Sequence, residues 1–96
     1  MVVHNPEHSR FEIVEEGKTA ELVYRLQPGR IVFIHTGVPA ELEGRGFAKD
    51  LAVTGLQYAR DQGLKVIPLC PFVASYIKRH PEYLDLVDEH YLDRVR

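Results

Sequence analysis

Residues 38–49 read Val38-Pro39-Ala40-Glu41-Leu42-Glu43-Gly44-Arg45-Gly46-Phe47-Ala48-Lys49. They follow a β-branched, apolar run at residues 31–34 and lead into a segment with helical spacing at residues 48–62. A strand that enters a helix through a Gly-x-Gly turn exposes backbone N–H groups at the positive end of the helix dipole. Because glycine lets the backbone come close to an anion, such a turn binds phosphate or pyrophosphate without any particular side chain. The sequence therefore predicts an anion-binding loop between a strand and a helix.

The residues before this loop have the spacing of strands. Residues 11–14 and 19–26 are joined by a turn, and the second run alternates apolar and polar side chains. The turn Gln27-Pro28-Gly29-Arg30 then leads into a third strand at residues 30–38. We expect these three strands to form an antiparallel meander.

The residues after the loop complete a strand–helix–strand unit. Gly63 stands where a left-handed cap would end the helix, and residues 64–69 form a short apolar strand parallel to the third. Pro68 lacks an N–H group, so this strand lies at an edge or separates from its neighbour there. A second helix is expected at residues 71–79, and residues 83–96 have weaker helix-like spacing. The fold class is α/β (α+β).

Composition limits the possible functions. The 96 residues, 45% hydrophobic and 27% charged, fit one globular domain over residues 1–96. A net charge of −2 gives no reason to expect nucleic-acid binding, and no apolar run approaches the ~20 residues of a membrane span. One cysteine and the lack of a secretory signal favour a cytoplasmic protein. We expect a monomer or weak homodimer. The five histidines lack metal-site spacing, so no metal is expected.

The order of these elements resembles the GNAT superfamily of acetyl-CoA-dependent N-acetyltransferases. Their pyrophosphate loop reads Gln/Arg-x-x-Gly-x-Gly/Ala, and residues 43–48 match it except that Glu43 stands first. His35-Thr36, Cys70-Pro71-Phe72 and His80-Pro81-Glu82-Tyr83 are similar to segments of the small single-domain members. The resemblance covers roughly residues 10–87. It implies a minimal fold with splayed strands, without the leading strand and two helices of larger members, and a comparatively open acceptor side.

The resemblance also implies where acetyl-CoA binds. The pantetheine arm enters between the splayed strands, and the thioester lies between His35 and Cys70. Arg45 and Lys49 would offset the charge of Glu43 beside the phosphates. The implied cofactor-binding residues are Thr36, Gly37, Val38, Glu43, Gly44, Arg45, Gly46, Phe47, Ala48, Lys49 and Pro71.

Acetyl transfer to an amine requires a base, because an ammonium with a pKa near ~10 must lose a proton before it attacks. His35 is the candidate, since histidine is largely neutral at pH 7. The structural alternative is a histidine hydrogen-bonded to backbone at a strand end.

The departing thiolate benefits from a proton donor. Tyr76 is the candidate acid, with packing over the sheet as its alternative. Cys70 is a bystander, a proton relay or a transient acetyl carrier, and the covalent role is the less favoured one. Lys78, Arg79 and His80 either contact the adenosine phosphate or form a solvated helix end.

The sequence thus predicts an N-acetyltransferase that acts on an amine of unknown identity. The first alternative is a non-catalytic acyl-CoA-binding module. A structural or partner-binding domain without a ligand is the second.

Overall fold

The computed structural model describes residues 1–96. In chain order, its strands and helices are β1 (Val3–Asn5), β2 (Arg10–Glu15), β3 (Lys18–Gln27), β4 (Arg30–Gly37), α1 (Phe47–Asp61), β5 (Lys65–Pro68) and α2 (Pro71–Arg79). Short segments of 3-10 helix cover Pro6–His8, Ala40–Leu42, Pro81–Leu86 and Glu89–Arg94. This is the predicted mixed α/β architecture, with an antiparallel meander followed by a strand–helix–strand unit and a C-terminal helix.

The five strands form one sheet in the order β1-β2-β3-β4-β5. The first four strands pair antiparallel, and β5 pairs parallel to β4. The expectation of an edge position for the proline-containing strand is confirmed, because Pro68 ends β5 at one side of the sheet. At the outer edge of β5, the Asp88 N–H donates to the Val66 carbonyl at 2.9 Å.

Two sequence-based expectations about the ends of the chain are wrong. A leading strand exists, since β1 pairs with β2 through three residues ending at Asn5. It escaped prediction because three residues before Pro6 are too few to show an alternating pattern. The tail is not one α-helix but two short 3-10 segments that Val87 and Asp88 separate. Both segments are six residues long, which limits them to one or two turns.

The sheet has one face covered by helices and one largely open face. Leu22, Ile31 and Phe33 are fully buried on the helix face, where α1 packs against β3 and β4. Arg10, Glu12 and other polar side chains alternate with these residues and lie on the open face. The two faces of the sheet therefore offer different surroundings to the predicted site residues.

A bulge near the end of β4 determines which face His35 and Thr36 occupy. Tyr24 pairs with Phe33 and Val23 pairs with His35, so Ile34 is an extra residue without a partner on β3. Strict alternation from Phe33 would place His35 on the helix face. The bulge reverses the order, so that Thr36 lies on the helix face and His35 on the open face.

Strands β4 and β5 separate before β4 ends. Their last pair joins Phe33 to Pro68, and β4 continues through Gly37. The chain leaving β5 then turns back, and the Cys70 N–H donates to the Phe33 carbonyl at 2.8 Å. The β5-facing edge of β4 beyond Phe33 is therefore unpaired, as the splayed-strand expectation requires.

No helix in the chain has the length and apolar character needed to cross a membrane.

Candidate functional site

A cavity of about 510 Å³ opens between the end of β4, the loop after it and the first turn of α1. It is lined by Thr36, Val38, Leu42, Glu43, Gly44, Gly46, Phe47, Ala48, Lys49 and Phe72. Lys49 is the one cation in this lining and Glu43 the one anion. Half of the lining is apolar, which suits a ligand with both a charged part and an apolar arm.

The two glycines of the loop hold a backbone that other residues resist. Gly44 and Gly46 have φ values of +80° and +79°, and a Cβ atom at either position would have no heavy atom within 4 Å. Glycine is therefore required at these two positions for its backbone conformation, which would cost any L-residue roughly 1–2 kcal/mol. The space beside both residues stays open. A ligand can approach the backbone closely here.

The N-terminus of α1 presents free hydrogen-bond donors to the cavity. Gly46 is the cap residue and supplies no side-chain cap. The first intrahelical hydrogen bond runs from the Asp50 N–H to the Gly46 carbonyl, so the N–H groups of residues 47–49 have no helical acceptor. These donors and the positive end of the helix dipole favour a bound anion.

Arg45 is directed away from the cavity. Its guanidinium lies 2.7 Å from the carboxylate of Glu16 in the turn between β2 and β3, and it donates to the Glu41 carbonyl at 3.3 Å. A second ion pair, Lys18 to Glu41 at 3.3 Å, joins the start of β3 to the loop. These contacts hold the loop against the sheet and leave Lys49 to face the cavity without Arg45.

Thr36 and Cys70 bridge the gap between the separated strands. The Thr36 Oγ1 and Cys70 Sγ atoms are 3.0 Å apart. Cys70 is 1% exposed and caps α2, which begins at Pro71. The buried Cys70 thiol and the N-terminus of α2 are thus adjacent to Thr36, where the thioester is predicted to lie.

His35 lies on the other face of the sheet. Its side chain is 59% exposed, and its Nε2 atom lies 4.0 Å from a carboxylate oxygen of Glu21. The structure therefore does not place His35 beside Cys70 on one face. The two residues instead flank the end of β4 from opposite sides.

Tyr76 on α2 is buried, with 6% of its surface exposed. Its ring stacks on His80 with centroids 3.9 Å apart, and Tyr83 lies 6.0 Å away. The His80 Nδ1 atom hydrogen-bonds to the Tyr76 carbonyl at 2.8 Å, and burial raises the pKa of Tyr83. Tyr76 does not line the cavity, and its role as an acid stays a prediction.

Eight of the eleven predicted cofactor-binding residues line one cavity, and Gly37, Arg45 and Pro71 do not. The sequence reasoning missed Leu42 and Phe72. Phe72 follows Pro71 in the same quoted motif, so its apolar side chain at the start of α2 was a usable signal. Leu42 gave only the weaker signal of one apolar residue within an acidic loop. No group of three or more His, Cys, Asp or Glu side chains is arranged to hold a metal ion.

Comparisons with known proteins agree with this geometry. Residues 10–86 match the family model of GCN5-related N-acetyltransferases. The chain is 34% identical over 89 residues to protein NATD1 of Mus musculus, covering 88% of this chain and 81% of that protein. It is equally identical to NATD1 of Homo sapiens, covering 79% of that protein.

A solved structure has the same fold. The solution NMR structure of a GCN5-like protein from Staphylococcus aureus superposes with a TM-score of 0.72 at 30% sequence identity. The match covers 92% of this chain and 87% of that one. The chain belongs to the GCN5-related N-acetyltransferase family.

Proposed function

We propose that this protein transfers the acetyl group of acetyl-CoA to an amine. The observation that carries the proposal is the unpaired edge of β4 beyond Phe33, which leads directly into the cavity at the N-terminus of α1. An extended thioester arm can pair with the free backbone of residues 34–37. The phosphates would then lie over the glycine loop.

The residues of the cavity fit acetyl-CoA. Free N–H groups of residues 47–49 and the ammonium of Lys49 suit a pyrophosphate. Val38, Phe47 and Phe72, which are partly exposed, offer an apolar wall to the pantetheine arm. Acetyl-CoA supplies the thioester, whose carbonyl carbon is the electrophile.

Transfer needs a neutral amine and a protonated leaving group. His35 is proposed to take the ammonium proton, after which the amine nitrogen bonds to the carbonyl carbon and the carbon–sulfur bond breaks. The free N–H groups of the separated β4 edge are suitable donors for the oxyanion. Tyr76 remains the proposed donor to the departing thiolate, although it stands outside the cavity lining.

We favour direct transfer over a covalent acetyl-Cys70 step. The Cys70 sulfur is enclosed and already contacts the Thr36 hydroxyl. A nucleophilic thiol works best as an accessible thiolate, and this one is buried.

A release assay tests the proposal. Purified protein is incubated with acetyl-CoA and a panel containing a polyamine, a lysine peptide and small primary amines, and free CoA and acetylated amine are both quantified. Amine-dependent CoA release matched by acetylated product is the expected result. Saturable acetyl-CoA binding without product from any amine would favour the acyl-CoA-binding module instead.

A further inference from the structure

A chain of polar side chains crosses four strands on the open face of the sheet and ends at His35. The Asn5 amide donates to Glu12 at 3.3 Å. Arg10 donates from Nε to Glu12 at 2.6 Å and from Nη1 to Oε1 of Glu21 at 3.0 Å. The second oxygen of Glu21 then lies 4.0 Å from the His35 Nε2 atom.

Arg10 fixes the direction of the Glu21 carboxylate. One oxygen is occupied by the guanidinium, so the other is left to face the imidazole. The side chains of Glu12, Glu21 and Arg10 are only 16%, 28% and 32% exposed, whereas His35 is 59% exposed. A restrained carboxylate therefore meets an imidazole that remains accessible from solvent.

The absence of a side chain at residue 37 allows this approach. Gly37 pairs with Glu21 across β3 and β4 and lies on the same face as His35, two residues along the strand. A Cβ atom on Gly37 would lie 2.9 Å from the His35 Nε2 atom. The imidazole therefore occupies the space that any other residue at 37 would fill, and it extends towards Glu21.

We propose that Glu21 is a positioning residue for His35 on the acceptor side of the site. This inference rests on the proposed acetyl transfer, in which His35 is the base. The carboxylate favours the tautomer with a proton on Nε2, leaving Nδ1 free to accept the proton of the acceptor ammonium. The amine nitrogen keeps the electron pair of the broken N–H bond, and the imidazolium that forms faces a negative charge.

Charged groups around His35 support the assignment. Glu21 on β3 is the nearest, and Arg10 with Glu12 on β2 stands behind it. Arg25 lies on the same face further along β3, where it pairs with Val32. The 4.0 Å between the His35 Nε2 atom and the Glu21 carboxylate is longer than a hydrogen bond. Because the ring is exposed, a small rotation would bring the two atoms within hydrogen-bond distance.

NMR of the apo protein tests this arrangement without requiring activity, because the nitrogen chemical shifts of a neutral imidazole report which nitrogen carries the proton. The His35 imidazole nitrogen resonances are assigned by their loss in His35→Gln and compared in wild type and Glu21→Gln under conditions in which the ring is neutral. Glu7→Gln is the matched control, because it removes the same charge at an exposed residue without an ion pair. The share of His35 that carries its proton on Nε2 should fall in Glu21→Gln, and by more than in Glu7→Gln.

An equal tautomer ratio of His35 in wild type and Glu21→Gln would overturn the role of Glu21 even if the protein acetylates amines. In the acetylation assay, Glu21→Gln should lower kcat with the best amine of the panel and leave the KM for acetyl-CoA unchanged. A changed KM for acetyl-CoA with unchanged kcat would also contradict the assignment. Failure to find any acetylated amine bears on the proposed function alone, since the tautomer is measured without substrate.

Discussion

The Thr36 hydroxyl and the Cys70 thiol lie 3.0 Å apart across the gap where β4 and β5 have stopped pairing. This contact joins the two strands at the point where the acetyl group is proposed to lie. It gives the buried cysteine a structural role that is independent of chemistry. The variant Cys70→Ala separates that role from covalent catalysis.

Cys70→Ala should lower the free energy of unfolding by about 1 kcal/mol, because a buried sulfur and its contact with Thr36 are lost. Most of the turnover should remain, since transfer is proposed to be direct. Urea denaturation and the acetylation assay measure the two effects. Thr36→Val removes the same contact from the other side and serves as the comparison. A loss of turnover of roughly 100-fold or more in Cys70→Ala alone would indicate a covalent role.

Glu43→Gln should tighten acetyl-CoA binding several-fold. The variant removes the one carboxylate of the cavity lining, which would stand close to the phosphates, and it restores the residue type expected at the start of the loop motif. Glu41→Gln is the control, because Glu41 is two residues away, pairs with Lys18 and does not line the cavity. Calorimetric titration at low salt measures both affinities. Equal affinity of Glu43→Gln and wild type would show that Glu43 points away from the bound phosphates.

Tyr76→Phe should leave stability almost unchanged, because the ring keeps its packing against His80 and Tyr83. If the phenol protonates the departing thiolate, turnover should fall by roughly 100-fold at unchanged acetyl-CoA affinity. Steady-state kinetics with acetyl-CoA and the best amine provide the measurement. Turnover equal to that of wild type would show that Tyr76 is not the acid and that it serves only to pack against His80 and Tyr83.

Stability should depend on pH through the aromatic cluster that holds β1. The His4 Nε2 atom lies 2.6 Å from the Tyr24 hydroxyl, and its ring stacks on Phe11. Burial lowers the pKa of His4, so the unfolded chain binds this proton first as pH falls below about 6.5. Stability should therefore decline from that pH towards the lower folded pKa and be independent of His4 above it.

The variant His4→Phe keeps the ring and removes the titration. Urea denaturation as a function of pH should show a flatter profile for this variant between neutral pH and about pH 5. Asp85 and Asp88, whose pKa values hydrogen bonds lower, act in a separate window below about pH 4. An identical slope of unfolding free energy against pH in both proteins would show that His4 does not cause the pH dependence.

Much of the fold was predictable because local chemistry set it. Proline and glycine marked the ends of α1, β5 and α2, and Gly63 has the left-handed φ of +67° expected of a residue that ends a helix. The bulge at Ile34 was not predictable, because it depends on pairing with β3 rather than on the residues around it. That one residue decides which of His35 and Thr36 faces the helices.

The site was predictable to the extent that backbone geometry defines it. Gly44 and Gly46 marked the loop, and the cavity forms there. The direction of Arg45 depended on Glu16, which is far away in sequence and gave no signal. The link from Arg10 through Glu21 to His35 likewise arises from strand register, which the sequence alone did not fix.

The central claim is that acetyl-CoA binds over the glycine loop at the N-terminus of α1. Amide NMR spectra during an acetyl-CoA titration test it most directly, with Gly46→Glu and Gly46→Ala as a matched pair that shares the same backbone strain. The account predicts saturable shifts centred on residues 36–38 and 44–49, retained in Gly46→Ala and abolished in Gly46→Glu. Shifts centred elsewhere, or wild-type affinity in Gly46→Glu, would contradict it.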